Sequence, residues 1–305
     1  MKYLTFAGSL AALAAAPFFL APYATTTLTR ILVFALLAVS LDLLVGITGL
    51  PSLGHAAYFG VGAYAAGWLA THGTSQALPQ LGFAVAVGAV VAVAAGWVAV
   101  RSHGVFFLML TLAIGEIIQQ LAQSWTPVTG GSNGLYGIPA TRIGDFVLTH
   151  IALLHWYATA VFAVGFTIVW CISASPLGAT LRGIRDNEPR MRSLGYDPRR
   201  YKMMAFVIAG AVAGLAGGLL AAQQRLVTPA DLGFTTSALA LIAVVIGGAG
   251  RLWGACLGAA LVVIVRDYLG PDLGGHGPLV LGLVFIAVVY ALPRGFAGLR
   301  RRVAS

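Results

Sequence analysis

Charged residues are scarce in this sequence: Asp, Glu, Lys and Arg make up 9% of its 305 residues, where a soluble domain has about a quarter. Hydrophobic residues make up 59% of the chain. This composition excludes a water-soluble core. Apolar runs that could each cross a bilayer, which takes about 20 residues, recur from end to end. The sequence therefore predicts an all-α, polytopic transmembrane helical bundle that forms one domain over residues 1–305.

Lysine and cysteine are almost absent, and each absence excludes a class of site. Lys2 and Lys202 are the only lysines, and neither follows a glycine, so the chain lacks a Walker-type phosphate loop. Cys171 and Cys256 lie in separate apolar runs without metal-type spacing, which excludes a disulfide framework and a zinc site. We expect no cofactor and no metal in this chain.

The few positive charges are concentrated in two segments. Seven of the 18 Lys and Arg residues lie between Arg182 and Lys202. Four more lie in the C-terminal tail, at Arg294, Arg300, Arg301 and Arg302. Basic residues accumulate in this way in the short cytoplasmic loops of membrane proteins, at the lipid headgroups. The net charge of +9 therefore indicates how the chain is oriented in the membrane. We expect membrane lipid as a partner and no nucleic acid.

Apolar runs and the breakers between them predict about ten membrane segments, of which the third and the last three are short or broken. Their approximate bounds are 4–23, 31–47, 55–70, 81–100, 105–122, 149–172, 204–222, 236–249, 254–269 and 277–292. The first run begins like a signal peptide, but its length and the spans that follow favour a retained helix. An even number of spans, together with the basic segments, predicts cytoplasmic N- and C-termini and places the polar residues 124–149 outside.

The basic segment, residues 173–202, carries helix signals throughout. Apolar residues recur at helical spacing up to Ile184, which predicts a short amphipathic helix. Pro189 favours a second helix that stops at Gly195, and Asp197 is a suitable N-cap for the next span. Two interpretations remain open: the charges anchor helix ends at the headgroups, or the structured loop docks a soluble partner.

Residues 46–55 are rich in helix breakers although apolar segments flank them. Non-helical backbone at membrane depth occurs where it is buried in protein or lines a cavity. This stretch is either part of a transport path or an ordinary interfacial turn. Polar residues in or near the spans are the candidates for the path: Asp42, Ser52, His55, Glu116, Gln119 and Gln120. Structural pairing of these residues is the alternative.

Two series of glycines with a spacing of four predict faces of close helix packing. They are Gly210, Gly214 and Gly218 in the seventh span, and Gly250, Gly254 and Gly258 at the start of the ninth. Such faces pack either within the subunit or against a second membrane subunit.

Four stretches resemble the LivM-type permease of branched-chain amino acid ABC importers, in the expected order along the chain. They are LPSLGHAAYFGVGAY at 50–64, GATLRGIRDNE at 178–188, RYKMMAF at 200–206 with AGLAGG at 213–218, and IGGAG at 246–250 followed by Gly254 and Gly258. Gly183 departs from the alanine that such permeases are expected to have.

The resemblance implies a heteromeric importer in the bacterial inner membrane that carries a branched-chain or related amino acid. Its expected partners are two cytoplasmic ATP-binding subunits, which supply ATP and Mg, a second permease of the LivH type, and an external substrate-binding protein. It also implies a cytoplasmic coupling loop at residues 173–202. The residues of that loop expected to couple to the ATPase are Leu181, Ile184, Arg185, Asp186, Asn187, Glu188, Arg190, Met191 and Leu194.

Two other classes of function compete with an importer subunit. An ion-coupled secondary transporter or channel acting alone would share the same composition. A membrane-embedded enzyme has only the G-x-S-x-G pattern at residues 130–134 in its favour, and that pattern lacks the strand–turn–helix setting of a nucleophile.

Overall fold

The computed structural model describes residues 2–269 together with residues 279, 282, 283, 285–287 and 290. Helices make up most of this part of the chain. They are α1 (Lys2–Phe19), α2 (Pro22–Asp42), α3 (Ala56–His72), α4 (Ala77–Ala99), α5 (Val105–Ser124), α6 (Thr126–Thr129), α7 (Ile151–Ala174), α8 (Pro176–Asp186), α9 (Glu188–Ser193), α10 (Pro198–Gln224), α11 (Phe234–Gly247) and α12 (Leu252–Ile264).

Short elements complete the described fold. Wide π-helical turns, Leu43–Thr48 and Val265–Leu269, extend α2 and α12. Tighter 3-10 turns lie at Gly131–Asn133 and Pro229–Leu232. Two strands, β1 (Arg142–Ile143) and β2 (Phe146–Val147), form an antiparallel hairpin within the polar stretch that was predicted to lie outside.

In the part of the chain that the structure describes, five helical segments are long and apolar enough to cross a membrane: Pro22–Thr48, Ala77–Ala99, Val105–Ser124, Ile151–Ala174 and Pro198–Gln224. Each of the first nine predicted segments coincides with a helix, which defines a helical, multi-pass membrane protein. The tenth, residues 277–292, lies largely outside the described residues. Helix α11 has 14 residues and is therefore about 21 Å long, shorter than the bilayer core, in agreement with its prediction as a short segment.

Helix α2 begins nine residues before the predicted second span. Pro22 occupies its first turn, and the threonines that follow remain helical because their hydroxyls donate to carbonyls one turn earlier. Thr25 donates to Ala21 over 3.2 Å, and Thr29 donates to Thr25 over 2.9 Å. Hydroxyls satisfied in this way do not interrupt a membrane helix. The predicted start at residue 31 was therefore wrong.

Helix α10 is the centre of the bundle and packs on α2, α3 and α4. Gly210 and Gly214 face Gly88 of α4, and Gly214 also lies against Gly62 of α3. Gly218 continues the same face toward Ala84 of α4. Side chains larger than hydrogen would separate these backbones, so the first glycine series packs inside this chain.

The second glycine series is divided between a turn and a helix. Gly254 and Gly258 of α12 lie against Gly247 and Ala243 of α11. Gly250 precedes α12 and adopts a left-handed backbone conformation with φ +83°. The prediction that all three share one helix face was therefore wrong for Gly250, because the α11–α12 turn requires a positive φ there.

Candidate functional site: a surface helix pair joined to a break in the bundle

Helix α8 is held firmly on the bundle. Ser175 caps its N-terminus by accepting from the Gly178 N–H over 3.4 Å. Leu181 and Ile184 are 0% and 2% exposed, so both side chains pack inside this chain. The Arg182 guanidinium donates to the Ser173 carbonyl over 2.8 Å. The apolar residues at helical spacing in this segment thus pack α8 against the bundle.

Helix α9 lies at the surface and buries none of its side chains. Asn187 caps it, because its side-chain oxygen accepts from the Arg190 N–H over 3.0 Å. The helix ends before Gly195, whose φ is +86°, as the sequence predicts. Leu194 is 64% exposed and borders an open groove of about 570 Å³. Two tyrosines and a methionine line the same groove, so Leu194 is part of a larger, partly apolar surface.

Glu188, the first residue of α9, lies at the centre of a cluster of basic groups. Its carboxylate is 2.6 Å from Lys202 Nζ of α10, 2.7 Å from Arg192 Nη2 and 3.5 Å from His103 Nε2 of the α4–α5 connection. Partial burial raises the pKa of Glu188, but the hydrogen bonds from Lys202 and Arg192 outweigh this effect and lower it from 4.5 to about 2. The cluster therefore joins α9 to helix α10 and to the α4–α5 connection.

The bundle is broken where α2 ends. The π-helical turn finishes at Thr48, Gly49 turns the chain with φ +76°, and helix α3 starts only at Ala56. Carbonyls at a helix C-terminus have no intrahelical donor, and cations are favoured there. Arg185 of α8 supplies such a donor, because its guanidinium bonds to the Gly46 carbonyl. The surface helix thus contacts the break directly.

Asp42 connects the α11–α12 turn to the end of α2. It is fully buried, and its Oδ1 accepts from the Gly250 N–H over 2.7 Å. Gly46 lies so close to Gly250 that a side chain at residue 46 would collide with its backbone nitrogen. Three elements therefore meet at one point: the end of α2, the α11–α12 turn and, through Arg185, helix α8.

The start of α3 carries a second group of buried polar atoms. Ser40 Oγ donates to the Leu37 carbonyl over 2.7 Å and lies 2.8 Å from His55 Nε2. Because the one hydroxyl hydrogen is used, His55 Nε2 is the donor and its Nδ1 is an acceptor. The Ser237 hydroxyl of α11 accepts from the Ala56 N–H over 2.9 Å. Within the described residues, Asp42 Oδ2, Ser52 Oγ and His55 Nδ1 are buried without a hydrogen-bond partner.

Helix α5 places the other three candidate path residues elsewhere. Its inner face packs on the break, since Thr111 Oγ1 accepts from the Leu53 N–H over 3.3 Å. Gln119 is half-buried beside Gly233, whereas Glu116 and Gln120 are exposed on the opposite face. The structure thus gathers Asp42, Ser52 and His55 around the break and separates Glu116 and Gln120 from them.

Four further residues join these clusters only through tertiary contacts, and the sequence pattern carries no signal for them. They are Ser40, His103, Lys202 and Ser237.

Apolar helices of membrane length, with a helix pair attached at the surface of the bundle, define a class of protein, the multi-pass membrane proteins. A family model described as "Branched-chain amino acid transport system / permease component" matches residues 23–291. The chain belongs to this family and is a membrane permease subunit of an ABC-type transport system. Members of the family are transport permeases rather than enzymes.

Curated relatives agree with the family assignment. The chain is 29% identical to the high-affinity branched-chain amino acid transport system permease protein LivM of Salmonella typhimurium, over 93% of this chain and 72% of that protein. LivM of Escherichia coli K12 gives the same identity and coverage. LivH of Escherichia coli K12 is 27% identical over 87% of this chain and 91% of that protein. No solved structure matches the chain.

Proposed function

We propose that this chain is the LivM-type permease of an ABC importer that moves branched-chain amino acids, or close analogues, across the bacterial inner membrane. The relatives' names support the substrate class. The proposed partners are two cytoplasmic ATP-binding subunits, a LivH-type permease and an external substrate-binding protein. ATP and Mg would be bound by the ATP-binding subunits, and the present chain would contribute no chemistry.

The proposed topology has ten membrane segments in one domain, with both termini in the cytoplasm. Under this topology α8 and α9 lie on the cytoplasmic side, where the ATP-binding subunits would be. The last span would fall in residues 277–292. This assignment rests on the positions of the basic segments and on the helices found for the first nine segments.

The contact of Arg185 with the Gly46 carbonyl is the observation that carries the proposed mechanism. We propose that the ATP-binding subunits dock on α8 and α9 and that their movement reaches the broken helix through this contact. Buried Leu181 and Ile184 would hold the element on the bundle. The exposed residues would form the docking face: Arg185, Asp186, Asn187, Arg190 and Leu194, with half-buried Glu188 and Met191 behind them.

The break itself is the proposed gate of the transport path. Asp42, Ser52 and His55 place three buried polar atoms without a hydrogen-bond partner around the break, and three other side chains among the described residues carry such atoms elsewhere. Such atoms are costly in the membrane interior, and residues that carry them are commonly functional. A shift of α8 would move Gly46 and thereby change the surroundings of Asp42.

Substitutions in the docking face test this proposal in the reconstituted complex. Leu194→Asp and Arg190→Glu are exposed changes that leave the fold intact, and we expect ATP hydrolysis to continue while amino-acid uptake falls by about tenfold or more. Arg101→Glu, an exposed reversal at the end of α4, is the matched control and should retain uptake. Normal uptake in both docking variants would refute the docking role.

A second measurement separates the importer from a transporter that acts alone. Liposomes that contain only this chain should show no amino-acid flux, with or without an ion gradient. Flux through the isolated chain would overturn the proposed function.

A further inference from the structure

The outward face of α5 has a composition that does not suit contact with lipid. Glu116 is exposed there and lies 11 residues into a 20-residue helix, about 16 Å from its start and so near the middle of the bilayer. An ionisable side chain at this depth costs about 2.5–3.5 kcal/mol on insertion scales when it faces lipid. Among the described residues Glu116 has no ion-pair or hydrogen-bond partner. Protein or water must therefore cover this face.

The exposed residues of this face repeat with the spacing of a helix–helix contact. We define the α5 seam as Phe106, Met109, Ala113, Glu116 and Gln120, all of which are exposed. Their spacing of three, four, three and four residues is that of the inner stripe of paired helices, and Ala113 at its centre allows close approach. The opposite face of α5 is already occupied by this chain, through Phe107, Thr111, Gly115 and Ala122.

Helix α4 provides the contrast within the same bundle. It also exposes a long stripe, which includes Phe83, Ala86, Val90, Val93 and Trp97. Every member of this stripe is apolar, as expected of a surface that faces lipid tails. The two exposed stripes therefore differ in chemistry: α4 matches lipid, and α5 carries a carboxylate near the middle of the membrane and an amide one turn further along.

We propose that the α5 seam is the surface on which the second, LivH-type permease subunit packs. This inference rests on the proposed function. Escherichia coli K12 has two unlike permease proteins named for one transport system, LivM and LivH, and this chain is similar to both. A second helical permease would offer apolar side chains to Phe106 and Met109 and polar groups to Glu116 and Gln120.

The position of the seam connects this interface to the gate. The inner face of α5 lies on the broken segment, where Gly115 approaches Gly54 and Thr111 accepts from Leu53. The second permease would thus sit one helix away from His55 and Ser52. A rotation of one subunit against the other would reach the break through α5.

Paired phenylalanine substitutions test the α5 seam in the full complex. Ala113→Phe and Ala86→Phe each enlarge an exposed alanine eight or nine residues into a membrane helix. Overpacking an interface costs about 1–3 kcal/mol, so Ala113→Phe should reduce co-purification with the second permease by about tenfold. Ala86→Phe should leave it unchanged. Equal recovery in the two variants would overturn the proposal.

Photo-crosslinking gives an answer that does not depend on how Ala113→Phe folds. A benzophenone amino acid replaces Met109 in the α5 seam or, as control, Val90 in the α4 stripe. The Met109 site should crosslink to the second permease and the Val90 site only to lipid. Adducts at Met109 with lipid alone, with a second copy of this chain, or with its own residues 277–292 would each refute the surface.

The same preparation separates failure of this inference from failure of the proposed function. If the wild-type chain co-purifies with a LivH-type permease but Met109 does not contact it, the surface is wrong and the importer stands. If no second permease accompanies the wild-type chain, the proposed function itself is wrong.

Discussion

Lys202 Nζ lies 2.6 Å from Glu188 Oε2, so the first residue of α9 is tied to the first turns of α10. Lys202 is only 5% exposed, and its ammonium group depends on this carboxylate for charge compensation. Helix α10 is also the element on which α2, α3 and α4 pack. The ion pair therefore connects the surface helix α9 directly to the centre of the bundle.

Removing the charge of Glu188 tests the importance of this pair. Glu188→Gln leaves Lys202 charged, largely buried and poorly compensated, and we expect a loss of about 1–3 kcal/mol in stability, measured by thermal unfolding in detergent. Asp186→Asn is the matched control because its partner Arg185 forms an exposed pair with it. That variant should change stability by less than about 0.5 kcal/mol, and an equal loss in both would contradict the prediction.

The acid sensitivity of the Glu188 cluster follows from its lowered pKa. The carboxylate has a pKa of about 2 when folded and 4.5 ordinarily, so its stabilising effect is complete above about pH 4.5 and is lost as pH falls toward 2. The difference in unfolding temperature between wild type and Glu188→Gln should shrink as pH falls from 5 toward 2, because the wild-type carboxylate becomes protonated. A difference that grows on acidification would be inconsistent with this cluster.

A side chain at Gly46 should disrupt the meeting point of α2 and the α11–α12 turn. Its first carbon would collide with the Gly250 nitrogen and with Asp42 Oδ1. We expect Gly46→Ala to cost about 1–3 kcal/mol and to abolish uptake. Gly82→Ala is the control, since nothing lies within 4 Å of the added carbon and alanine favours the helix. The prediction fails if both variants unfold at the same temperature.

Asp42 should tolerate an amide better than a hydrocarbon side chain. Asp42→Asn retains an oxygen that can accept from the Gly250 N–H, whereas Asp42→Leu leaves that buried donor unpaired at a cost of about 1–3 kcal/mol. Expression and thermal stability of the two variants should therefore differ clearly. Comparable stability would show that the hydrogen bond to Gly250 is unimportant.

Ser40 should be required to hold His55 at the start of α3. Ser40→Ala removes the acceptor of the His55 Nε2–H, which leaves both ring nitrogens buried and unpaired among the described residues. We expect a loss of about 1–3 kcal/mol and reduced uptake. Ser102→Ala, in the α4–α5 connection, removes only a local bond to the Ala99 carbonyl and should have little effect on either measurement.

Local signals account for the helices of the surface element, although only Asp197 was predicted as a cap. Ser175, Asn187 and Asp197 cap α8, α9 and α10, and each cap acts within three residues of its own position. Apolar runs likewise predicted a helix at each of the first nine segments, although α2 begins nine residues before its predicted span. The start of α2 was missed because composition alone does not reveal that threonine hydroxyls can bond back to their own helix.

Long-range contacts were not predictable from the sequence. Arg185 bonds to Gly46, which is 139 positions away in the sequence, and Asp42 accepts from Gly250, which is 208 positions away. Asp42 and Glu116 looked alike as rare acids near the spans, yet the first is fully buried and the second lies on the outer face of the bundle. Only the relative placement of the helices distinguishes a buried acid at the break from an exposed acid on the outer face.

The bond from Arg185 to Gly46 ends on a main-chain oxygen, which no substitution at residue 46 can delete. Helix α2 therefore has its C-terminal cap supplied by a separate surface helix. If α8 moves away, the end of α2 loses a donor inside the protein and must find another. Detachment of α8 would therefore also fray the end of helix α2.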